Sequence, residues 1–269
     1  MGNEDLGKHY ESIGDLTKAM DAYSRMRPDI STPKHIADVG RHLAGVALQR
    51  REWAVVTAQV NKMTGNQTPE DERHLQPYLK IVNGIALLGQ EKYHDAALSF
   101  LQTDSVIHSC SYNEVASAND VAIYGGLLAL ASMDRGDLQT QVLENTKFRT
   151  FLELEPHIRR AVTQFVNGRY SACLATLESY RPDCLLDIYL QRHIQTIYGE
   201  IRSKCIVQYL VPFSCVTLES MNEAFAAPGE SIEKELVTMI RSGRLQARID
   251  TIDKVSVSLA QEVSECAYY

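Results

Sequence analysis

One short phrase returns along the first three quarters of the chain and limits what it can fold into. It reads Ser12-Ile-Gly-Asp-Leu16, Gln49-Arg-Arg-Glu-Trp53, Gly89-Gln-Glu-Lys-Tyr93, Asp134-Arg-Gly-Asp-Leu138 and Val166-Asn-Gly-Arg-Tyr170. Each time a polar or glycine turn precedes a large apolar residue, with helical periodicity on both sides. The anchors Leu16, Trp53, Tyr93, Leu138 and Tyr170 scatter around a period of about 40 residues, that of stacked helical pairs. Such a pair cannot bury its apolar face alone, so it must stack on its neighbours. The competing reading is an irregular helical bundle. Both are all-α.

In the first unit Leu6, Gly7, Tyr10, Ala19 and Tyr23 fall at tetratricopeptide spacings, and Gly84, Ala96 and Phe100 repeat part of that set. The glycines and alanines let two helices approach closely, and the aromatics fill the space between pairs. Pro28, Pro33, Pro69, Pro77 and Pro156 are expected in inter-helix loops, because proline removes a donor and clashes inside a helix. After Pro182-Asp183, the residues Leu186, Leu190, Ile194, Ile197, Ile201 and Cys205 recur every three or four positions. That spacing predicts one continuous amphipathic helix from about Asp183 to Leu210, ended by Pro212.

The stretch from Arg202 to Val257 changes character. A second helix begins at Thr217 with Leu218, Met221 and Phe225 on one face, and Ala227-Pro228-Gly229 breaks it. A third helix begins at Ser231, with Ile232, Leu236, Met239 and Ile240 toward the core and Glu233, Lys234 and Glu235 outward. Gly243 and two alternating segments follow, Gln246 to Asp250 and Lys254 to Val257. Three helices and a two-stranded wing make a winged helix. The expected architecture is therefore mainly α, a right-handed α-solenoid of tetratricopeptide-like repeats followed by a winged helix with a small β-wing. The expected divisions are 1–200, 201–257 and a short tail, 258–269.

A winged helix usually presents its third helix to DNA. Here Thr217 to Ile240 holds five acids (Glu219, Glu223, Glu230, Glu233, Glu235) against one base, Lys234. That balance repels phosphates, whereas DNA affinity comes largely from lysine and arginine. Arg241, Arg244, Arg248 and Lys254 make the wing side basic, either as a solvated rim or as a partner surface. A short sheet has exposed ladder groups that another edge can pair with. The candidate contact residues are Gln246, Arg248, Asp250 and Lys254.

Catalytic signatures do not stand out. The net charge of -7 and pI near 5.6 disfavour a dedicated nucleic-acid protein. No nucleotide-binding, zinc-protease or hydrolase motif occurs. Cysteines 110, 173, 184, 205, 215 and 266 form no close pair, and reduced thiols are expected, buried at Cys173 and Cys205. His35 and His42 read as surface or packing residues without a third ligand. Glu153 and Glu155 flank Leu154 and do not converge. No catalytic residue, cofactor, metal site or small-molecule substrate is expected. The acidic opening Met1-Gly2-Asn3-Glu4-Asp5 is unlike a secretory leader. The run from Val121 to Met133 is too short to cross a bilayer. A soluble, intracellular protein without membrane partners is the expectation.

Helical repeats leading into a winged helix of the wrong charge for DNA resemble PCI-domain proteins, the scaffold subunits of the proteasome lid, the COP signalosome and a translation initiation factor. Leu218 to Val257 carries the likeness throughout, including the Ile240-Arg-Ser-Gly243 exit and the strand Gln246-Ala-Arg-Ile-Asp250. Asn3-Glu-Asp-Leu-Gly7 with His9-Tyr10, Val121-Ala-Ile-Tyr-Gly-Gly-Leu127, Phe151-Leu-Glu-Leu-Glu-Pro156, Leu185-Leu-Asp-Ile-Tyr189 and Gln208-Tyr-Leu-Val-Pro212 resemble the signalosome branch. The region from Gln59 to Lys80 matches poorly. Family members carry sequence before the Asn-Glu-Asp-Leu-Gly phrase and a helix after the wing, where this chain has Met1-Gly2 and Ser258 to Tyr269.

The resemblance implies a non-catalytic scaffold that joins sibling PCI subunits through its winged helix, in nucleus and cytoplasm. The implied assembly removes a ubiquitin-like modifier from cullins in cullin-RING ligases, with the metal-dependent hydrolysis on another subunit. A proteasome lid subunit is the alternative within the family. A nucleic-acid-binding winged-helix protein is the alternative of another class.

Overall fold

The recurring phrase folds into a recurring turn. In the computed structural model, which describes residues 2–26, 33–65, 69–104, 112–226, 231–250 and 255–258, its third residue lies in the left-handed region four times. Those residues are Gly14 (φ 80°), Arg51 (58°), Glu91 (62°) and Gly168 (73°). The next amide reaches back five residues each time: Asp15 to Tyr10 at 2.9 Å, Glu52 to Ala47 at 2.9 Å, Lys92 to Leu87 at 3.0 Å and Arg169 to Gln164 at 2.8 Å. This helix-ending motif satisfies carbonyls that the last helical turn leaves orphaned. Glycine adopts its αL position without steric cost, while Arg51 and Glu91 do so against their Cβ atoms.

The turns join helices in pairs: α1 (Gly2–Ser12) with α2 (Leu16–Arg25), α3 (Pro33–Gln49) with α4 (Trp53–Thr64), and α5 (Pro69–Gly89) with α6 (Tyr93–Leu101). The glycines do permit close approach, but Tyr23 and Phe100 fill space within their own pairs, correcting the expectation, which set them between successive pairs. A Cβ on Gly7 would enter the ring of Tyr23, and one on Gly84 would lie 2.7 Å from Phe100. Gly89 lies against the indole of Trp53, so this anchor links successive pairs. The fourth unit departs from the pattern. α7 (Ala118–Ser132) is opened by a capping box between Ser117 and Asp120. After Asp134 caps the short α8 (Arg135–Asp137), Leu138 to Leu143 form a π-helical turn before α9 (Thr146–Leu154). Phe148 fills the place of the pairing aromatic, 2.8 Å from a Cβ built on Gly125.

The chain divides into two compact units, residues 1–158 with 188–190 and residues 159–187 with 191–269. α10 (Pro156–Val166) leads from the first into the second. The predicted continuous helix is corrected: α11 (Tyr170–Leu186) ends at Asp187, and α12 begins at Ile194 and runs to Leu210. The apolar spacing continues through the break because Leu190 is fully buried, from a turn and not from a helix. Leu186, on the same predicted stripe, is 85% exposed.

The proline expectation is also corrected. Pro33, Pro69 and Pro156 are first residues of helices, where the missing N–H has no helical partner to lose. Pro77 lies inside α5 and Pro182 inside α11, while Pro28 lies outside the described residues.

In the second unit α12, α13 (Leu218–Phe225) and α14 (Glu233–Arg241) bury Ile201, Cys205, Leu218, Met221, Phe225, Leu236 and Met239, as the spacing predicts. Ile240 is only half-buried. Gly243 (φ 74°) ends α14. Among the described residues the wing has three strands, correcting the expected two. β1 (Cys215–Thr217), β2 (Ala247–Asp250) and β3 (Val255–Ser258) lie in the order β1-β3-β2, all antiparallel. β1 escapes sequence reading because three residues give too little alternation to register as a strand.

Candidate protein-interaction surface

An arginine ties the three helices of the winged helix together. Arg202, on α12, donates from Nε and Nη2 to both carboxylate oxygens of Glu235 at 2.8 and 2.9 Å, and from Nη2 to the carbonyl of Phe225 at 2.9 Å. This planar fork ties α12 to α14 and to the end of α13. Glu235 is therefore half-buried and paired, correcting the expectation that it faces outward. Asn222 accepts from the amide of Ile232 at 2.9 Å and fixes the entry to α14. Tyr209 packs edge-on against Phe225, with centroids 5.3 Å apart.

On this frame β2 is an edge strand. Its ladder partner is β3, in the register Ala247–Ser258, Arg248–Val257, Ile249–Ser256 and Asp250–Val255. Ala247 is buried, and Arg248 and Gln246 are exposed. Of the four candidate contact residues, Arg248 and Asp250 lie in β2, Gln246 precedes it, and Lys254 lies outside the described residues. β3 is the central strand, so edge pairing falls to β2 or to β1 at the other side. Arg244, expected in the basic rim, is engaged by Glu200 at 2.6 Å. Glu233 and Lys234 on α14 are exposed.

The thiols follow their environments. Cys173 and Cys205 are fully buried, and the hydrogen bond between them together with burial pushes the Cys205 thiol up. Burial also raises Cys184, while Cys215 is exposed on β1. Cys110 and Cys266 lie outside the described residues. The two histidines singled out for their spacing separate in role. His42 stacks on Tyr23 with centroids 4.7 Å apart, and His35 is exposed. Glu153 pairs with Arg149 at 3.1 Å, whereas Glu155 lies 3.1 Å from His157, so the two carboxylates remain apart.

Sequence reading missed the Arg202–Glu235 clamp and a groove on the first unit. Arg202 stands beside the apolar stripe of α12, next to Ile201, and nothing in its spacing points to Glu235. The groove encloses about 1080 Å³ among α1, α3, Tyr78 of α5, the turn at Glu114 and Val115, and Tyr189.

Comparison with known proteins places these features. The family described as "26S proteasome subunit RPN7" matches residues 1–141, and the PCI domain matches residues 177–258. "COP9 signalosome complex subunit 1" of Neurospora crassa is 55% identical over 255 residues, covering 94% of this chain and 60% of that protein. The protein of the same name from Emericella nidulans is 47% identical over 270 residues, covering 96% of this chain and 54% of its own length. "26S proteasome non-ATPase regulatory subunit 6" of rice is 27% identical over 174 residues, covering 65% of this chain and 44% of its own. The chain thus spans between 48% and 60% of the length of the signalosome relatives it matches. Among the described residues no helix is long and apolar enough to cross a membrane.

Proposed function

The chain belongs to the RPN7 family of PCI-domain proteins, and on that premise we propose that it is the first subunit of a COP9 signalosome, acting as a non-catalytic scaffold. The observation that carries this reading is the 55% identity over 94% of the chain to a signalosome subunit 1. The 27% identity to a proteasome lid subunit, over 65% of the chain, makes that assembly the weaker choice. In this reading residues 1–200 form the helical-repeat part, 201–257 the winged-helix part and 258–269 a tail. The subunit works in nucleus and cytoplasm. Its complex removes a ubiquitin-like modifier from cullin-RING ligases, with the hydrolytic metal centre on a sibling.

Within the complex, β2 presents unpaired ladder groups to the sheet edge of a sibling PCI subunit. Backbone pairing supplies affinity and exposed side chains such as Arg248 and Gln246 select the partner. Asp250 and Lys254 flank the same edge in sequence. The exposed Glu233 on α14 and the pairing of Arg244 favour protein over nucleic acid as the partner.

Affinity purification of the full-length protein from its native cell tests the reading. Recovery of signalosome subunits is the expected result. Recovery of proteasome ATPases would replace it with the lid reading. Cleavage of modified cullin by the isolated chain would end the scaffold assignment.

A further inference from the structure

The groove of the first unit has features that the packing of the chain does not explain. Six other helical glycines, at positions 7, 40, 84, 89, 125 and 126, each meet a side chain where a Cβ would lie, whereas Gly2, at the start of α1, and Gly199, in α12, do not. Gly45, in the middle of α3 and lining the groove, has nothing within 4 Å of that place. A glycine there weakens the helix without helping it pack, and it opens space for the close approach of another backbone. Tyr189 lines one end of the same groove. The turn Ile188–Leu190 belongs to the first unit. Arg51 donates to the carbonyl of Ile188 at 3.4 Å, Tyr189 stands edge-on to Tyr124 with centroids 6.4 Å apart, and Leu190 is fully buried.

The open part of the groove is acidic, lined by four carboxylates (Glu4, Glu11, Asp38, Glu114) and two cations (Lys8, Arg41). Glu11 is held by neutral donors, Tyr23 at 3.0 Å and Gln49 at 2.9 Å. Glu4 holds Lys8 at 2.6 Å, and Arg41 lies over the Tyr78 ring at 4.8 Å. Asp38 and Glu114 are exposed and form no ion pair among the described residues.

We propose that this groove binds an extended peptide segment of a partner protein, carrying lysine or arginine beside an apolar or aromatic anchor. The anchor lies against the half-buried Tyr189, the backbone crosses Gly45, and the basic side chains meet Glu11, Asp38 and Glu114. The groove volume suits a few residues in extended form, and the Glu11 carboxylate, already held in place, spares part of the ordering cost of assembling the site. This reading stands apart from the wing edge and from membership of the signalosome.

The test is a selection of displayed random decapeptides against the full chain, with the enriched peptides then synthesised and titrated. Enrichment of lysine and arginine next to an apolar residue is expected, with affinity that falls as salt is raised. Two variants decide where the peptides bind. Gly45→Gln fills the groove while favouring the helix, so binding falls at least about tenfold with a melting temperature that holds or rises. Asp38→Lys with Glu114→Lys, both exposed, weakens binding by at least about tenfold with an unchanged circular dichroism spectrum. Arg248→Glu, on the wing, leaves binding intact. A selection with no enrichment above an empty support overturns the proposal. So does enrichment of acidic or neutral peptides, or of basic peptides whose affinity is the same in both groove variants.

Discussion

Glu91 holds a left-handed backbone that its own side chain opposes, and its φ of 62° matches that of Gly14 and Gly168 at the same place in the repeat. Replacing it with glycine relieves the αL penalty, against a smaller loss from the freer unfolded chain. Glu91→Gly is expected to stabilise the protein by about 0.5–1 kcal/mol in urea denaturation. Gly84→Ala should act in the opposite sense. Its Cβ would stand 2.7 Å from the Phe100 ring, an overpacking that costs about 1–3 kcal/mol, read as a lower melting temperature. The pairs Gly7–Tyr23 and Gly84–Phe100 were legible because the same residue types stand sixteen apart in both. Gly125–Phe148 was not, because the π-helical turn at Leu138–Leu143 lengthens the interval. Arg51 and Glu91 gave no sign of their φ, since no glycine stands at the third position of those phrases.

Periodicity identified most helices and misjudged where one of them stops. The stripe from Leu186 to Cys205 keeps its spacing across the break at Asp187–His193, because burial of Leu190 satisfies the pattern without a helix. Leu190→Ala is expected to cost about 2–5 kcal/mol in the unfolding of the first unit, measured by hydrogen exchange at α3 and α7. The Arg202 clamp was illegible for a different reason: partners 33 residues apart leave no local signature. Arg202→Met leaves the Glu235 carboxylate and the Phe225 carbonyl without this donor. With both charged groups about one-third exposed, the loss is about 1–2 kcal/mol, read by thermal denaturation. The strand segments were legible from alternation, but the third strand and the central position of β3 were not. An edge identified as β2 sharpens the partner test: Arg248→Glu should leave the circular dichroism spectrum unchanged and weaken capture of a sibling PCI subunit by about tenfold. Undiminished capture would move the contact to another surface.

The two units differ in how their contacts are spread along the chain, and this separates the times at which they can form. Each hairpin of the first unit is complete within a few tens of residues, so helices can pair as soon as they are made. Leu190 is the exception, reaching the first unit only after α11 has been made. The sheet of the second unit waits longer still. β1 and β2 do not pair with each other; both pair with β3, the last described strand, and β1 precedes it by 38 positions in the pairing of Thr217 with Val255. During synthesis the ribosome therefore releases two strands with no neighbour before it releases the third. Until Val255–Ser258 leaves the exit tunnel, the winged helix has helices but no sheet, and its exposed strands are open to chaperones or to a misplaced partner. A translation stop before Val255 would remove every ladder bond at once, so the four codons of Val255–Ser258 decide whether this subunit can offer a sheet edge at all.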